Sequence, residues 1–420
     1  MGYYRARLRR LNMVVNPETF MLIAGEASGD TLAAELVSAL RSQFSILNPP
    51  SSPAFFGAGG SQMAEAGVEL AFDLTQYSVI GIEDVLKNYF KFRRLFNQLL
   101  TLAIERQPDA VIGVDFGGFN LRFGHAIKQY VRDNPFSKWN PKIVQFVSPQ
   151  VWASRPGRAS RLAADYDLVL SIFPFEKDWY AQRVPQLRVE FVGHPMIGRF
   201  TGAKSLECGD VPPLSSARHV AQFQSADVSA HSKILLLPGS RVDELRRHLP
   251  PMLGALNLIR EQLPSATAKM ILPNAGLKKL ADKLSAPPAN FEFQIGDLPQ
   301  ALAGTALAIA STGTVTMECA FLGVPTVTLY KTSWFNWEVA KRLATVKWAT
   351  MPNILADEEI YPEFIQSAAT PGNLARAALE LLQNEARRQK IKSQLAKIVA
   401  SLGEPGASQR AAAAILSLFK

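Results

Sequence analysis

The chain has 420 residues, 48% of them hydrophobic and 19% charged, so it can form two or three globular domains and is not a disordered protein. Its net charge of +9 favours an anionic partner such as a nucleotide or a phospholipid surface, whereas the even spread of the charge and the lack of a recognised motif argue against nucleic acid. Two cysteines and five scattered histidines offer neither a disulfide framework nor metal-ligand spacing, so we expect a cytoplasmic protein without a metal site.

The first part of the chain alternates short apolar runs with amphipathic stretches, which is the pattern of a parallel sheet covered by helices. Residues 1–18 precede it as a basic tail, because they lack the apolar stretch of a signal peptide. Within 19–201 the predicted strands are 20–24, 53–57, 110–115, 142–147, 168–173 and 189–192. The predicted helices are 30–43, 60–66, 84–107, 120–132, 158–165 and 175–182.

The same pattern restarts after residues 202–232, a segment rich in Ser, Pro, Gly and Ala that we interpret as a linker. Residues 233–370 contain the strand-like segments "KILLLPGSR", "AKMILPN", "FEFQIGD", "TALAIAS" and "VPTVTLY". Residues 371–420 are predicted as C-terminal helices. The sequence therefore predicts an α/β protein with two Rossmann-like, doubly wound parallel sheets that face each other across a cleft.

The stretch "MLIAGEASGD" ends the first strand with a glycine turn that leads into a helix, a pattern typical of a phosphate cradle. Glu26 and Asp30 would repel a phosphate, however, and carboxylates suit sugar hydroxyls. We therefore expect Glu26 and Ser28 to bind hydroxyl groups, and Asp30 to cap the helix that it begins.

Asp115 ends the predicted strand 110–115 of the first domain, where a rigidly held carboxylate can act as a general base. The alternative is an aspartate that caps the following turn. The loop "FVSPQVWASR" follows another strand and carries Ser148, Gln150, Trp152 and Arg155. The tryptophan could stack on a sugar or line an acyl pocket, or it could belong to the core.

Two loops of the second domain carry groups suited to a nucleotide diphosphate. Gly239, Ser240 and Arg241 follow one strand, and an arginine fork fits phosphate oxygens. The turn 312–314 follows another strand and offers amide and hydroxyl donors, while Glu318 could accept both hydroxyls of a ribose. The alternatives are a salt-bridged arginine, an ordinary N-cap and a glutamate that offsets the helix dipole. The residues that would supply the amide and hydroxyl donors of the turn 312–314 are Thr312, Gly313 and Thr314.

The stretch "YSVIGIEDVLKNYFKFRRLFNQLL" combines a wide apolar face with basic residues, a composition typical of a helix that lies on an anionic membrane. A helix packed on its own domain is the alternative. The residues predicted to contact the membrane are Val85, Tyr89, Phe92, Arg93, Arg94 and Phe96.

In this order and spacing, the motifs resemble lipid-A-disaccharide synthase, a family of glycosyltransferases with the GT-B fold, from about residue 20 to about residue 370. The resemblance depends on "AGEASGD", "GAGGSQMAEAG", "SVIGIEDVL", "PDAVIGVD", "FVSPQVWASR", "FPFEKDWY", "FVGHPM", "LLPGSR", "STGTVTMECAFLGVP" and "MPNILA…YPEFIQ".

The resemblance implies an inverting transfer of 2,3-diacylglucosamine from UDP-2,3-diacylglucosamine to the 6-hydroxyl of 2,3-diacylglucosamine 1-phosphate, with no cofactor. It further implies a peripheral enzyme on the inner face of the cytoplasmic membrane, and it leaves a homodimer open. Asp115 matches the proposed base, Arg241 the arginine at the donor phosphate and Glu318 the nucleotide-binding glutamate. Asn353 and Gln366 match polar residues of the donor cleft. We also predict that Glu26 is a catalytic residue.

One departure from the family pattern lies beside Asp115, where Gly117 and Gly118 replace a Pro–Asp pair. The missing acidic side chain motivates one alternative, a weakly active relative that binds nucleotide or lipid. The other alternative is a different UDP-sugar enzyme of the same architecture, such as an N-acetylglucosamine transferase or a UDP-sugar 2-epimerase.

Overall fold

The computed structural model describes residues 19–47, 52–77, 89–202, 233–285 and 288–420. These residues form two compact units. Unit 1 consists of the described residues up to Gly198 together with Glu404–Lys420, and unit 2 consists of Arg199–Gly403. The predicted tail 1–18 and all but the first residue of the predicted linker 202–232 lie outside the described residues.

Unit 1 is built on a seven-stranded parallel sheet with the order β3-β2-β1-β4-β5-β6-β7. The central strands are buried along almost their whole length, as strands covered by helices on both faces must be. The strands are β1 (Thr19–Ala24), β2 (Ala54–Gly59), β3 (Glu69–Asp73), β4 (Ala110–Val114), β5 (Lys142–Phe146), β6 (Leu168–Ser171) and β7 (Val189–Phe191).

Helices connect successive strands of unit 1 and cover the sheet. They are α1 (Ala27–Leu47), α2 (Ser61–Glu65), α3 (Tyr89–Arg106), α4 (Gly117–Asp133), α5 (Val151–Ser154), α6 (Arg158–Asp165), α7 (Pro174–Ala181) and α8 (Pro195–Gly202), the last of which crosses into unit 2. Met21, Val111 and Ile143 from three neighbouring strands lie in one buried cluster with Leu99 of α3 and Leu162 of α6.

Unit 2 is built on a six-stranded parallel sheet with the order β10-β9-β8-β11-β12-β13. Its strands are β8 (Lys233–Leu237), β9 (Thr267–Leu272), β10 (Phe291–Ile295), β11 (Leu307–Ser311), β12 (Thr326–Tyr330) and β13 (Glu363–Ile365). Its helices are α9 (Val242–Gln262), α10 (Ala275–Leu284), α11 (Leu298–Leu302), α12 (Thr314–Phe321), α13 (Trp334–Leu343), α14 (Met351–Ala356), α15 (Pro371–Gln383) and α16 (Glu385–Ser401). The prediction of two doubly wound parallel sheets is confirmed.

The last helix, α17 (Ala407–Leu416), belongs to unit 1, whereas α15 and α16 belong to unit 2. The predicted C-terminal segment 371–420 is therefore divided between the units. The side-chain amide of Gln43 on α1 donates to the carbonyl oxygen of Gln409 at 2.6 Å, and the Arg410 Nε donates to the carbonyl oxygen of Val192 at 2.8 Å. These bonds attach the end of the chain to unit 1.

In each sheet the strand order reverses beside the first strand of the unit, between β1 and β4 in unit 1 and between β8 and β11 in unit 2. Ligands of open parallel sheets bind beyond the carboxyl ends of the strands at such a switch point. The loops after these four strands are therefore the regions in which to look for a site.

Candidate functional site

Asp115 lies at the switch point of unit 1, directly after β4. Asp115 and Phe116 both have left-handed backbone conformations, with φ of 51° and 46°. The Asp115 amide donates to the carbonyl oxygen of Phe146 at 2.8 Å, and its own carbonyl oxygen accepts bonds from Asn120 Nδ2 at 2.8 Å and Gln145 Nε2 at 2.9 Å. The neighbouring elements thus hold a conformation that is rare for residues with a side chain, as is common at functional sites.

The carboxyl group of Asp115 is suited to proton transfer. Its side chain is half-buried, and this burial raises the pKa of the carboxyl above its ordinary value of 3.8. A carboxylate with a raised pKa is a better proton acceptor than one in open solvent. Gly118, where the family pattern has an acid, is exposed, and a Cβ there would meet nothing within 4 Å, so the chain has open space but no second carboxylate at this position.

The glycines of the loop after β1 make room for the Asp115 turn. A Cβ on Gly25 would lie 2.3 Å from the Phe116 ring, and a Cβ on Gly29 would lie 3.3 Å from the carbonyl oxygen of Val114 and 3.5 Å from the Asp115 Cβ. The first two distances are shorter than ordinary van der Waals contact, and the third is at its lower limit. These glycines therefore let α1 approach the end of β4.

Asp30 does not cap the helix that contains it, so that expectation was wrong. Helix α1 begins at Ala27, and Asp30 lies inside its first turn with a carboxylate that is 4% exposed. Its two oxygens accept bonds from the backbone amides of Gly60, Gln62 and Met63 at 2.8 to 3.1 Å. Asp30 thus satisfies the amides at the start of α2, which have no partner within their own helix.

Glu26 and Ser28 lie at the entrance of α1. Glu26 is half-buried and Ser28 is exposed, so both side chains are placed where a ligand at the switch point could contact them. The carbonyl oxygen of Glu26 accepts the amide of Asp30 at 2.8 Å, which closes the first turn of the helix.

Of the four predicted site residues in the loop after β5, two have buried side chains and two have exposed ones. Trp152 is 5% exposed and donates its indole N–H to Glu176 Oε1 at 2.8 Å, while buried Ser148 donates to the Tyr180 hydroxyl at 3.1 Å. Burial raises the pKa of Glu176 to about 7. Ser148 and Trp152 therefore anchor the loop from beneath, whereas Gln150 and Arg155 are exposed.

In unit 2, the loop after β8 is shaped by Gly239 and Glu244. Gly239 has a φ of 113°, and a Cβ there would lie 2.2 Å from Glu244 Oε2. The same oxygen accepts the amides of Ser240 and Arg241 at 3.0 and 3.3 Å. The Arg241 side chain is 57% exposed, with its Nη1 at 3.6 Å from Glu244 Oε1. The loop therefore turns its backbone amides towards its own helix and presents the guanidinium outward.

His248 supports this loop and was missed in the sequence analysis. It is fully buried on α9, with Nδ1 at 2.7 Å from the carbonyl oxygen of Pro238, while Nε2 accepts the amide of Lys331 at 3.0 Å. This pattern requires a neutral ring with the proton on Nδ1, and burial lowers its pKa below the ordinary 6.5. A buried histidine on an amphipathic helix gives no distinct sequence signal, which explains the omission.

Lys331, whose amide donates to His248, also contacts Gln366 through its ammonium group, and Gln366 has a side-chain donor without a partner among the described residues. The Lys331 ammonium donates to the carbonyl oxygens of Gln366 and Ala369 at 3.1 and 3.4 Å, and Gln366 itself has a left-handed φ of 54°. Among the described residues, nothing accepts a bond from the buried Nε2 of Gln366. A buried amide without a partner is costly, so this group is suited to a ligand.

The turn after β11 opens onto the first turn of α12. Gly313 and Thr314 are exposed and Thr312 is half-buried, while Thr316 donates both its amide and its hydroxyl back to the carbonyl oxygen of Gly313. The N-cap position provides no side-chain bond, so the first amides of α12 lack an intrahelical acceptor. One turn further on, burial raises the pKa of half-buried Glu318 to about 7.

Asn353 is fully buried and fully hydrogen-bonded within unit 2. Its Nδ2 donates to the Tyr361 carbonyl oxygen and to Glu363 Oε1, both at 2.8 Å, and its Oδ1 accepts the amides of Ile360 and Tyr361 at 2.9 Å. Two donors and two lone pairs are all that a side-chain amide has. Asn353 therefore holds the segment that leads into β13, and no group of its side chain remains for a substrate.

Helix α3 carries the described part of the predicted membrane contact. Val85 lies outside the described residues, as does the side chain of Tyr89. Phe96 is half-buried and packs edge-on against Phe119 and Phe123, with ring centroids 5.3 and 5.5 Å apart. Phe92 is also half-buried. The exposed residues of this helix include Phe90, which is 80% exposed, and both predicted arginines, Arg93 and Arg94.

In the part of the chain that the structure describes, no helix is both long enough and apolar enough to cross a bilayer.

The sequence is similar to one family over almost its entire length. The family model described as lipid-A-disaccharide synthetase matches residues 20–418. The lipid-A-disaccharide synthase of Myxococcus xanthus is 31% identical over 407 residues, covering 97% of this chain and 99% of the relative. That of Trichlorobacter lovleyi is 33% identical over 414 residues, with the same two coverages.

Solved structures show the same architecture at much lower sequence identity. The UDP-GlcNAc 2-epimerase of Neisseria meningitidis, bound to UDP-GlcNAc, has a TM-score of 0.60 at 12% identity and covers 95% of this chain and 99% of its own. MurG of Acinetobacter baumannii has a TM-score of 0.54 at 17% identity, with coverages of 95% and 99%. At these identities the similarity shows only the fold, which is GT-B.

Proposed function

The chain belongs to the lipid-A-disaccharide synthetase family, and on that premise we propose how its two units divide the reaction. It is a glycosyltransferase of lipid A synthesis, with UDP-2,3-diacylglucosamine as donor and 2,3-diacylglucosamine 1-phosphate as acceptor. The observation that carries the proposed division is the chemistry at the two switch points. Unit 1 presents a half-buried carboxylate with a raised pKa, and unit 2 presents an exposed guanidinium.

In the proposed mechanism, Asp115 accepts the proton of the acceptor 6-hydroxyl while that oxygen forms a bond to the anomeric carbon of the donor. The bond from this carbon to the UDP oxygen breaks on the opposite face, so the configuration inverts and UDP leaves. Arg241 neutralises the charge that develops on the diphosphate, and the amides of Thr314 and Val315 at the start of α12 supply further donors. Proton removal and charge neutralisation thus come from different units.

Most of the other site residues are proposed to bind the substrates directly. Glu26, with Ser28 beside it, binds hydroxyl groups of the reacting sugars. Glu318 binds the ribose, because a carboxyl group with a pKa of about 7 can both donate to and accept from hydroxyls near neutral pH. The remaining proposed contacts are Gln150, Arg155, Gly239, Ser240, Thr312, Gly313, Thr314 and Gln366.

Three residues that the sequence analysis placed in contact with substrate are proposed to act through their neighbours instead. Ser148 and Trp152 are buried beneath their loop, and all the polar atoms of Asn353 are occupied. Each of them is a positioning residue that fixes the shape of a loop at the site.

We further propose that α3 attaches the enzyme to the anionic cytoplasmic face of the inner membrane, where its acylated substrates reside. Exposed Phe90 beside Arg93 and Arg94 has the composition of an interfacial contact, and Phe92 borders it. Phe96 belongs to the internal packing of unit 1 rather than to this surface. A homodimer stays a prediction.

The test is an assay of purified protein with both acylated substrates, in which UDP and the disaccharide are each quantified. Wild type is expected to form both products in equal amounts, and Asp115→Asn is expected to lose about 10²- to 10⁴-fold in kcat because it removes the base. Asp178→Asn, an exposed aspartate of the same unit, is the matched control. UDP without disaccharide would contradict the proposed acceptor, and an active Asp115→Asn would contradict the proposed base.

A further inference from the structure

Unit 1 carries four arginines beside the Asp115 turn, and the proposed function uses only one of them, Arg155, without saying which part of a substrate it contacts. Two of them lie three residues apart at the start of α6, a spacing that places side chains on one face of a helix, and a third lies three residues before that helix begins. The fourth is an exposed residue of α4. We call this group the arginine cluster; its members are Arg122, Arg155, Arg158 and Arg161.

The two helices of the arginine cluster are packed tightly together. The Tyr166 hydroxyl, just after α6, donates to the carbonyl oxygen of Asn120 on α4 at 2.6 Å. A Cβ on Gly124 would lie 2.8 Å from the same hydroxyl oxygen, so only a glycine permits this approach. Partial burial lowers the pKa of Arg158, and repulsion from the other three arginines lowers it further, which places the four charges in one neighbourhood.

The positive charge of the arginine cluster is not neutralised within the described part of the chain. None of its four guanidinium groups forms a hydrogen bond or an ion pair with a described residue. The carboxylate at the end of α6, Asp165, is occupied by His125 at 2.8 Å and by Arg132 at 3.7 Å. Four like charges held in one neighbourhood repel one another, and an anion bound among them would relieve that repulsion.

The arginine cluster adjoins the proposed base. Helix α4 begins at Gly117, two residues after Asp115, and Arg122 lies five residues further on, about 8 Å along the helix axis. A Cβ on Gly117 would lie 2.9 Å from the Pro149 Cβ, so the loop that leads to Arg155 touches the same turn. An acceptor whose hydroxyl meets Asp115 would therefore direct the rest of its sugar towards these arginines.

We propose that the arginine cluster binds the phosphomonoester of the acceptor. The inference rests on the proposed function, in which one sugar ring carries both the reacting hydroxyl and the 1-phosphate. A phosphomonoester carries about −1.5 to −2 charges at neutral pH, and the planar fork of arginine fits its oxygens in pairs. The same chemistry could come from the phosphate headgroup of a membrane lipid, and the experiment separates the two sources.

The experiment compares two acceptors, 2,3-diacylglucosamine 1-phosphate and the same lipid without its phosphate, by the ratio of their kcat/KM values. Wild type is expected to prefer the phosphorylated acceptor. In Arg158→Gln/Arg161→Gln this preference falls about 10- to 100-fold, because charged hydrogen bonds to the phosphate are lost. Arg158→Lys/Arg161→Lys keeps the charge but loses the planar guanidinium. Its preference for the phosphorylated acceptor is expected to lie between those of wild type and the Gln double variant. Arg376→Gln, an exposed arginine of unit 2, is the matched control.

A preference unchanged in the Gln double variant overturns the inference. A variant that retains the preference but binds less well to vesicles of phosphatidylglycerol and phosphatidylcholine overturns it in favour of a lipid headgroup. Wild type that forms no disaccharide from either acceptor would contradict the proposed function itself, so the two failures are distinguishable. Circular-dichroism melting curves exclude variants that fail to fold.

Discussion

The loop after β1 in unit 1 and the loop after β8 in unit 2 have the same place in their sheets, but their side chains suit opposite charges. In unit 1, the acid of the first helical turn, Asp30, reaches away to the amides of another helix. In unit 2, the corresponding acid, Glu244, folds back onto its own loop and leaves Arg241 exposed. One topology thus holds the acid of its first helical turn in two different ways, and this difference underlies the proposal that the first loop binds hydroxyls and the second binds phosphates.

The glycines of the two loops are required for different reasons. Gly25 has no unusual backbone angle and is needed because the Phe116 ring occupies the space of a side chain. Gly239 is needed on two grounds, its left-handed φ and the contact with Glu244. A glycine after the first strand therefore indicates that another group comes close to the backbone there. That group can be a side chain of the protein itself, so the glycine alone does not indicate a phosphate site.

Among changes to these two loops, the largest effect is expected from the exposed charge of the unit 2 loop. Arg241→Gln should lower kcat/KM for the donor by about 10²- to 10³-fold, because a charge-neutralising contact at the leaving group is lost. Its melting temperature should match wild type, since the side chain is exposed. The measurement is steady-state kinetics with the donor varied, and Arg246→Gln on the same helix is the control. Equal kinetics for the two variants would remove the phosphate role from this loop.

The second-largest effect is expected from His248, the buried residue that supports the unit 2 loop. His248→Phe leaves the Pro238 carbonyl and the Lys331 amide without their buried partner, at a cost of about 2 to 3 kcal/mol of unfolding free energy.

The His248 variant also tests the direction of a pH effect. Because burial lowers the pKa of His248, the unfolded chain binds its proton first, and wild-type stability falls as the pH drops below about 6.5. Denaturant unfolding at pH 8.0 and 5.5 should show a smaller loss for His248→Phe than for wild type. An identical loss in both proteins would show that this histidine is not held neutral.

A moderate effect is expected from the close approach in unit 1. Gly25→Ala should cost about 2 kcal/mol, because its methyl group overlaps the Phe116 ring. In a double-mutant cycle with Phe116→Ala, the two changes should couple by at least about 1 kcal/mol. Gly157→Ala, where a Cβ would meet nothing within 4 Å, is the control. Additive costs would mean that the ring does not occupy this space in solution.

The smallest effect is expected from the capping carboxylate of unit 1. Asp30→Asn replaces one of two accepting oxygens and should cost about 1 kcal/mol, since the side chain still reaches the start of α2. Chemical denaturation measures this cost, with exposed Asp178→Asn as the reference. A loss of activity without a loss of stability would instead identify Asp30 as a group that contacts substrate.

The sequence allowed the prediction of the buried strands and of the loops at the switch points, because apolar runs followed by glycine or acidic residues are local signals. Asp115, Arg241 and Glu318 all follow such runs. Two strands were not predicted. β3 (Glu69–Asp73) is an edge strand with acidic ends and no fully buried residue, and β13 (Glu363–Ile365) has only three residues.

The sequence could not show which polar side chains are already occupied. Asn353 and Trp152 belong to motifs that match a substrate site, but their bonds go to Tyr361, Glu363 and Glu176, which are distant in sequence or separated by a helix. Such long-range pairing depends on tertiary contacts. His248 was missed for the same reason, since only the packing of separate elements brings its partners together. Arg155 was predicted as a site residue, but its grouping with Arg122, Arg158 and Arg161 also depends on that packing.

The return of α17 to unit 1 has a consequence for biosynthesis. Unit 2 is one continuous stretch, Arg199–Gly403, so all of its residues are translated before Glu404. Unit 1, although it comes first, requires Glu404–Lys420 to cover α1 and to donate to Val192. The order of completion is therefore the reverse of the order of synthesis. Unit 2 is translated second but has all of its residues first, and residues translated after it complete the unit that carries Asp115.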